Sequence, residues 1–174
     1  MKRRQLEHIL RASAAITGAD RFVVIGSQAI LGQFPDPPEE LLVSIEADVF
    51  SLRDPHDADL IDGTIGEASL FHQTFGYYAH GVGEKTAVLP EGWRERLIPL
   101  QNPNTGGATG LCLEVHDLAV SKLVAGRDKD LDYVSALLKH RLANSQTIQS
   151  RLSHLSLDAD RLRLCFDRLG RMAT

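Results

Sequence analysis

The 174-residue sequence predicts an α/β (α+β) fold: a mixed sheet flanked by helices, with a helical C-terminal cap. Three observations point there. The run Phe22 to Ile25 is apolar and mostly β-branched without alternation, the pattern of a strand covered on both faces. LLVSIEADVF, residues 41–50, resumes that character after a proline-rich break. From Asp117 onward the apolar spacing is helical throughout. We therefore expect an α/β core over 1–116 and a helical region over 117–174 packed on it as one folded unit.

The elements follow in order. Leu6, Ile9, Leu10, Ala14 and Ile16 recur at roughly helical spacing, and Gly18 supplies a stop. The 22–25 strand is expected at the centre of the sheet. It ends in Gly26-Ser27, with a short helix opening near Gln28. Pro35, Pro37 and Pro38 then force a loop, and a second strand is predicted from Leu42 to Phe50. Residues 54–71 read as a polar turn followed by a helix. GYYAHGV and KTAVL suggest a hairpin across Gly83-Glu84, and LIPL with LCLEV a second across the turn-rich NPNTGGATG. Asp117 is expected to cap a helix ending at Gly126, followed by helices over 128–142, 145–155 and 158–172.

Composition narrows the function. Apolar residues at 43% and charged residues at 24% are ordinary for a folded domain, and the net charge of −4 argues against a broad basic surface for DNA grooves. A local basic patch for RNA is compatible with it. Two cysteines, Cys112 and Cys165, cannot build a disulfide framework, and MKRRQLEHIL reads as an amphipathic helix rather than a leader. No apolar run approaches the ~20 residues of a membrane span. The expected setting is cytoplasmic.

Chemistry concentrates in two stretches. Gly26 and Ser27 end a strand where backbone can approach phosphate. Glu46 and Asp48, two apart on a strand, share a face, and two carboxylates on one edge suit a hard divalent cation. Alone, each is equally an ordinary helix start or a solvated strand edge; in sequence they make a stronger pattern. Downstream, HDLAVSKLVAGRDKDLDYV places Lys122 on a helix and clusters Arg127, Lys129, Asp130 and Asp132 at the break marked by Gly126. These cations suit phosphate charge in a transition state. The same residues also read as a helix corner tied by surface ion pairs.

FVVIGSQAIL, SIEADVF and DLAVSKLVAGRDKDLDYV together resemble the minimal nucleotidyltransferase superfamily, in particular bacterial proteins related to AbiEii-type toxins. The matched pieces span about residues 20–135. The resemblance implies a nucleotidyltransferase-like fold that moves a nucleotide from a nucleoside triphosphate, with Mg²⁺ as cofactor, to RNA, protein or a small molecule. It further implies Gly26 and Ser27 as the triphosphate turn, Glu46 and Asp48 as metal ligands, Lys122 and Arg127 as phosphate contacts, and Asp130 as the acid that orients or activates the acceptor. An antitoxin partner belongs to the same implication. Glutamate stands at 46 where aspartate is usual, the spacing from Ser27 to Glu46 is long, and His80 and Glu114 are the nearest residues to a third polar strand position. The alternative reading is therefore a binding module that keeps the fold without turnover.

Other residues suggest less. His72, His80, His116, His140 and His154 lack zinc-ligand spacing. Residues 54–59, DPHDAD, lack the glycine and spacing of an EF-hand. Trp93 is expected as a packing anchor with Arg94 and Arg96 facing solvent.

Overall fold

The computed structural model describes residues 1–172. Five strands form one mixed sheet in the order β3-β2-β1-β5-β4, made of β1 (Arg21–Ile25), β2 (Glu46–Ser51), β3 (Tyr78–Gly81), β4 (Ile98–Leu100) and β5 (Thr109–Cys112). β1 is central, with Phe22 to Ile25 all buried, as its unbroken apolar run requires. It pairs antiparallel with β2 and parallel with β5, while β3 runs parallel to β2 and β4 antiparallel to β5.

Helix α1 (Arg3–Thr17) buries Leu6, Ile9, Leu10, Ser13 and Thr17. The stripe thus continues through two small polar residues; Ala14 and Ile16 are only partly buried. Gly18 closes the helix in the left-handed region at φ 73°, donating to the Ala14 carbonyl. Beyond β1 come a 3₁₀ turn over Ser27–Ala29 and the one-turn α2 (Ile30–Gln33). Two helices, α3 (Asp57–Ile65) and α4 (Leu70–Phe75), fill the crossover from β2 to β3. A parallel pair needs such a connection. The remainder is helical: α5 (Val115–Ala125), α6 (Asp128–Lys139), α7 (Ser145–Leu152) and α8 (Ala159–Met172).

Four local expectations change. Residues 42–45 lie outside β2, because β1 ends at the Gly26 turn and its last pair is Ile25 with Asp48. KTAVL forms no strand: β3 hydrogen-bonds to β2, and the chain leaves the sheet edge through a 3₁₀ turn over Glu84–Thr86. Glu114 rather than Asp117 caps α5, its carboxylate accepting from the His116 amide. Arg96 does not face away into solvent; it donates to both Asp117 oxygens at 2.9 and 3.1 Å. The LIPL and LCLEV hairpin is present, with Pro99 on an edge strand where a missing N–H is tolerated. Trp93 packs partly buried against the core.

Asp117 is wholly buried, and Arg151 of α7 also reaches it, at 2.7 Å. Two guanidiniums from distant segments thus balance one buried carboxylate and tie α7 and the 93–96 turn to the start of α5. Removing the carboxylate alone leaves Arg96 without an ion-pair partner among the described residues and Arg151 with Glu114 only, at 2.5 Å. Asp117→Ala should cost about 3–5 kcal/mol of unfolding free energy, read by urea denaturation; a change within ~0.5 kcal/mol would show the network to be dispensable.

Candidate active site

Gly26 sits at the C-terminal end of β1 with φ 69° and ψ −170°, a conformation few residues other than glycine adopt. The opposing strand supplies a second reason for glycine. A Cβ built here would lie 2.1 Å from Asp48 Oδ2, so the backbone and the carboxylate can approach only if residue 26 has no side chain. The pair Ile25 with Asp48 in the β1/β2 register sets this contact.

Glu46 and Asp48 project from the same face of β2. Each carboxylate is fixed by β3, the parallel neighbour. In register, Tyr78 lies opposite Glu46 and His80 opposite Asp48. The Tyr78 hydroxyl donates to Glu46 Oε2 at 2.8 Å, and His80 Nδ1 lies 3.0 Å from Asp48 Oδ1. One oxygen of each carboxylate is thus held by a strand neighbour. Burial first, and the adjacent Glu46 charge second, raise the Asp48 pKa above its ordinary value. Burial and the hydrogen bond to Glu46 likewise push the Tyr78 phenol upward, so it remains a donor. The site concentrates negative charge where a cation would relieve it.

The opposite wall is cationic. Lys122, buried on α5, donates to Ser27 Oγ at 2.9 Å and to Asp130 Oδ1 at 3.1 Å. Its ammonium also lies 4.3 Å from the Tyr133 ring centroid, within range of a cation–π contact. Asp130, at the start of α6, is 1% exposed, and Arg127 donates to its two oxygens at 2.6 and 3.2 Å. Burial works against the Asp130 charge, but Arg127 and Lys122 outweigh it and lower its pKa. Lys122 moves down as well, chiefly because it is desolvated and despite the attraction of Asp130. Asp130 is therefore the anchor that holds two cations in place. Tyr133, one turn further along α6, donates to the Ser27 carbonyl at 2.7 Å and fixes the turn from behind.

Gly26, Ser27, Glu46, Asp48, Lys122, Arg127 and Asp130 all line one cleft of about 560 Å³. The structure thus brings these seven together; of the two residues considered for a third polar position, His80 reaches Asp48 from β3, whereas Glu114 lies outside the cleft, capping α5 and paired with His116 and Arg151. The helix after Ser27 is shorter than a useful dipole requires, one 3₁₀ turn and one α-turn, so the positive charge on this wall is that of Lys122 and Arg127. Tyr78 and Tyr133, which hold Glu46 and the Ser27 carbonyl, are not among the residues the sequence pattern singles out. Tyr133 was accessible as the residue three after Asp130 on one helix face; period two puts Tyr78 on one face with His80, but only the β2–β3 register brings it to Glu46. Among the described residues no three His, Cys, Asp or Glu side chains gather to hold a metal. Two carboxylates are the available ligands. Magnesium is compatible with that number, since it usually takes one or two carboxylates together with phosphate oxygens and water.

A family model described as "Nucleotidyltransferase of unknown function (DUF6036)" matches residues 4–166. No curated protein and no solved structure matches the chain.

The raised Asp48 pKa has a defined consequence for the metal-free protein. Folding favours its protonated form, so the cost of ionising it is absent below the ordinary value of 3.8 and grows as pH rises through the folded value. Asp48→Asn keeps an acceptor for His80 and removes the charge. Its melting temperature should exceed wild type near pH ~7 and match it near pH ~3, measured by calorimetry in chelator. Equal melting temperatures at both values would mean that Asp48 ionises without cost.

Proposed function

The chain belongs to the DUF6036 family of nucleotidyltransferases of unknown function, and from that we propose that its cleft transfers a nucleotide from a nucleoside triphosphate to an acceptor hydroxyl in a magnesium-dependent reaction. One observation carries the reading: two adjacent carboxylates and two cations held by one buried acid face each other across a single cleft that begins at a glycine turn.

Glu46 and Asp48 would hold the magnesium. The donor set fits, because the oxygens of two neighbouring carboxylates on one strand face suit a hard cation. Bound there, magnesium would neutralise phosphate charge and make an attacking hydroxyl easier to deprotonate. Lys122 and Arg127 would meet the phosphates on the other wall, with the Ser27 hydroxyl and the Gly26 backbone beside them. Arg127 is well suited to an anion, since it is exposed on one side and anchored on the other. Asp130 has both oxygens occupied by these cations. Its part is therefore to orient Lys122 and Arg127 rather than to take a proton from the acceptor.

Tyr78 would act through Glu46. The glutamate is one methylene longer than an aspartate, and the phenol that holds Oε2 restricts where the other oxygen can lie. Outer-shell partners of this kind typically change metal affinity by about 10–100-fold when removed.

Two measurements test this reading. Incubation with α-labelled nucleoside triphosphates, Mg²⁺, total RNA and total protein should yield labelled product, and Asp48→Ala or Lys122→Met should lower its rate by roughly 10²–10³-fold; absence of both nucleotide binding and transfer would leave only a module that retains the fold. Separately, calorimetric titration should show Mg²⁺ binding to Tyr78→Phe weakened by at least ~10-fold. Unchanged affinity would remove Tyr78 from the site.

A further inference from the structure

A second cleft, of about 320 Å³, shares Gly26, Asp48, Lys122, Arg127 and Asp130 with the larger one. Its other walls are separate. They come from Thr86, Ala87 and Val88 after the sheet edge, from the last turns of α5 and from Arg161 in the first turn of α8. The two clefts therefore meet at the carboxylate and the paired cations.

That arrangement matches a requirement of the chemistry. In phosphoryl and nucleotidyl transfer the attacking and leaving oxygens lie roughly in line through the phosphorus, so the acceptor and the departing diphosphate need separate approaches. The larger cleft has room and apolar surface for a nucleoside: Val43 and Ile45 are exposed there, and Tyr78 and Tyr133 line it. The smaller cleft is narrower and differently charged. Lys122 and Arg127 are already paired with Asp130, whereas the exposed Arg161 has no ion pair among the described residues. An unpaired guanidinium in such a wall favours a planar or tetrahedral oxyanion.

We propose that the smaller cleft seats the acceptor, a compact hydroxyl compound bearing a phosphate or carboxylate that pairs with Arg161. This rests on the nucleotidyltransferase reading above. The acceptor oxygen forms a bond to the α-phosphorus, and the bond from that phosphorus to the bridging oxygen breaks. Diphosphate leaves with the electron pair. The acceptor proton passes to water at the open mouth of the cleft.

The full chain with Mg²⁺ is first titrated with the four α,β-methylene nucleoside triphosphates. An analogue should bind wild type, Ala87→Trp and Arg161→Glu within about twofold of one another, whereas Ile45→Trp in the larger cleft should weaken it by ~10-fold or more, or about 1.4 kcal/mol. The analogue-loaded protein is then titrated with glycerol 3-phosphate, glycerate and glycerol. One or both anions should bind saturably and more tightly than glycerol, the stronger one identifying the preferred oxyanion, and both Ala87→Trp and Arg161→Glu should abolish that difference. Loss of analogue binding in Arg161→Glu, anions that bind no better than glycerol, or anion binding that survives Arg161→Glu would each overturn the assignment. Failure of the wild type to bind any analogue would instead bring down the underlying nucleotidyltransferase reading, and this assignment with it.

Discussion

The close approach of Gly26 to Asp48 is the constraint around which the cleft is organised. A carboxylate oxygen occupies the space that any side chain at residue 26 would claim. This contact follows from the antiparallel register of the two central strands, which places Asp48 opposite the last residue of β1. Once it is made, Ser27 is carried to the mouth of the turn, where Lys122 and Tyr133 can both hold it. The strand pair thus fixes the acidic wall and the turn together, and the helical region has only to bring its cations to a place already defined.

How the cations are held is a matter of electrostatics in a poorly solvated setting. Lys122 and Asp130 are both buried, and burying an ion pair is seldom stabilising in itself, since the cost of desolvation rivals the attraction gained. Asp130 offsets part of that cost by accepting from two donors at once. The result is a fixed positive wall facing a fixed negative one, with little reorganisation left for the moment a charged ligand enters. Such preorganisation is worth more to a reacting phosphate than to the stability of the chain. The Arg96–Asp117–Arg151 network serves a different end: it sets the start of α5 and so determines where Lys122, seven residues later, emerges.

The sequence made some of this legible for definite physical reasons. Glu46 and Asp48 could be placed on one face because strand side chains alternate, and the central position of β1 followed from its apolar run. Lys122, Arg127 and Asp130 lay in one short stretch around a glycine break. What stayed hidden depends on non-local pairing. Nothing in GYYAHGV says that it will lie parallel to β2, yet that register alone brings Tyr78 to Glu46 and His80 to Asp48. The same limit accounts for KTAVL, whose β-branched and apolar residues look like half a hairpin while the adjacent strand has its partner elsewhere. Arg96 looked solvent-facing because its buried partner lies 21 positions away.

The placement of β3 at the outer edge of the sheet carries a consequence for how the cleft behaves over time. An edge strand has a neighbour on one side only, and the margins of a structure generally open with less free energy than its centre. β3 is also the strand that restrains both carboxylates. Each excursion of the edge would release Glu46 and Asp48 together, so if they hold magnesium as proposed, the fraction of molecules ready to accept it is tied to the fraction whose edge is closed. Apparent affinity in such a system is the intrinsic affinity diluted by that fraction. Substitutions far from the cleft that loosen the sheet margin would then act on the ligand without touching it, and the cation in turn would hold the margin shut.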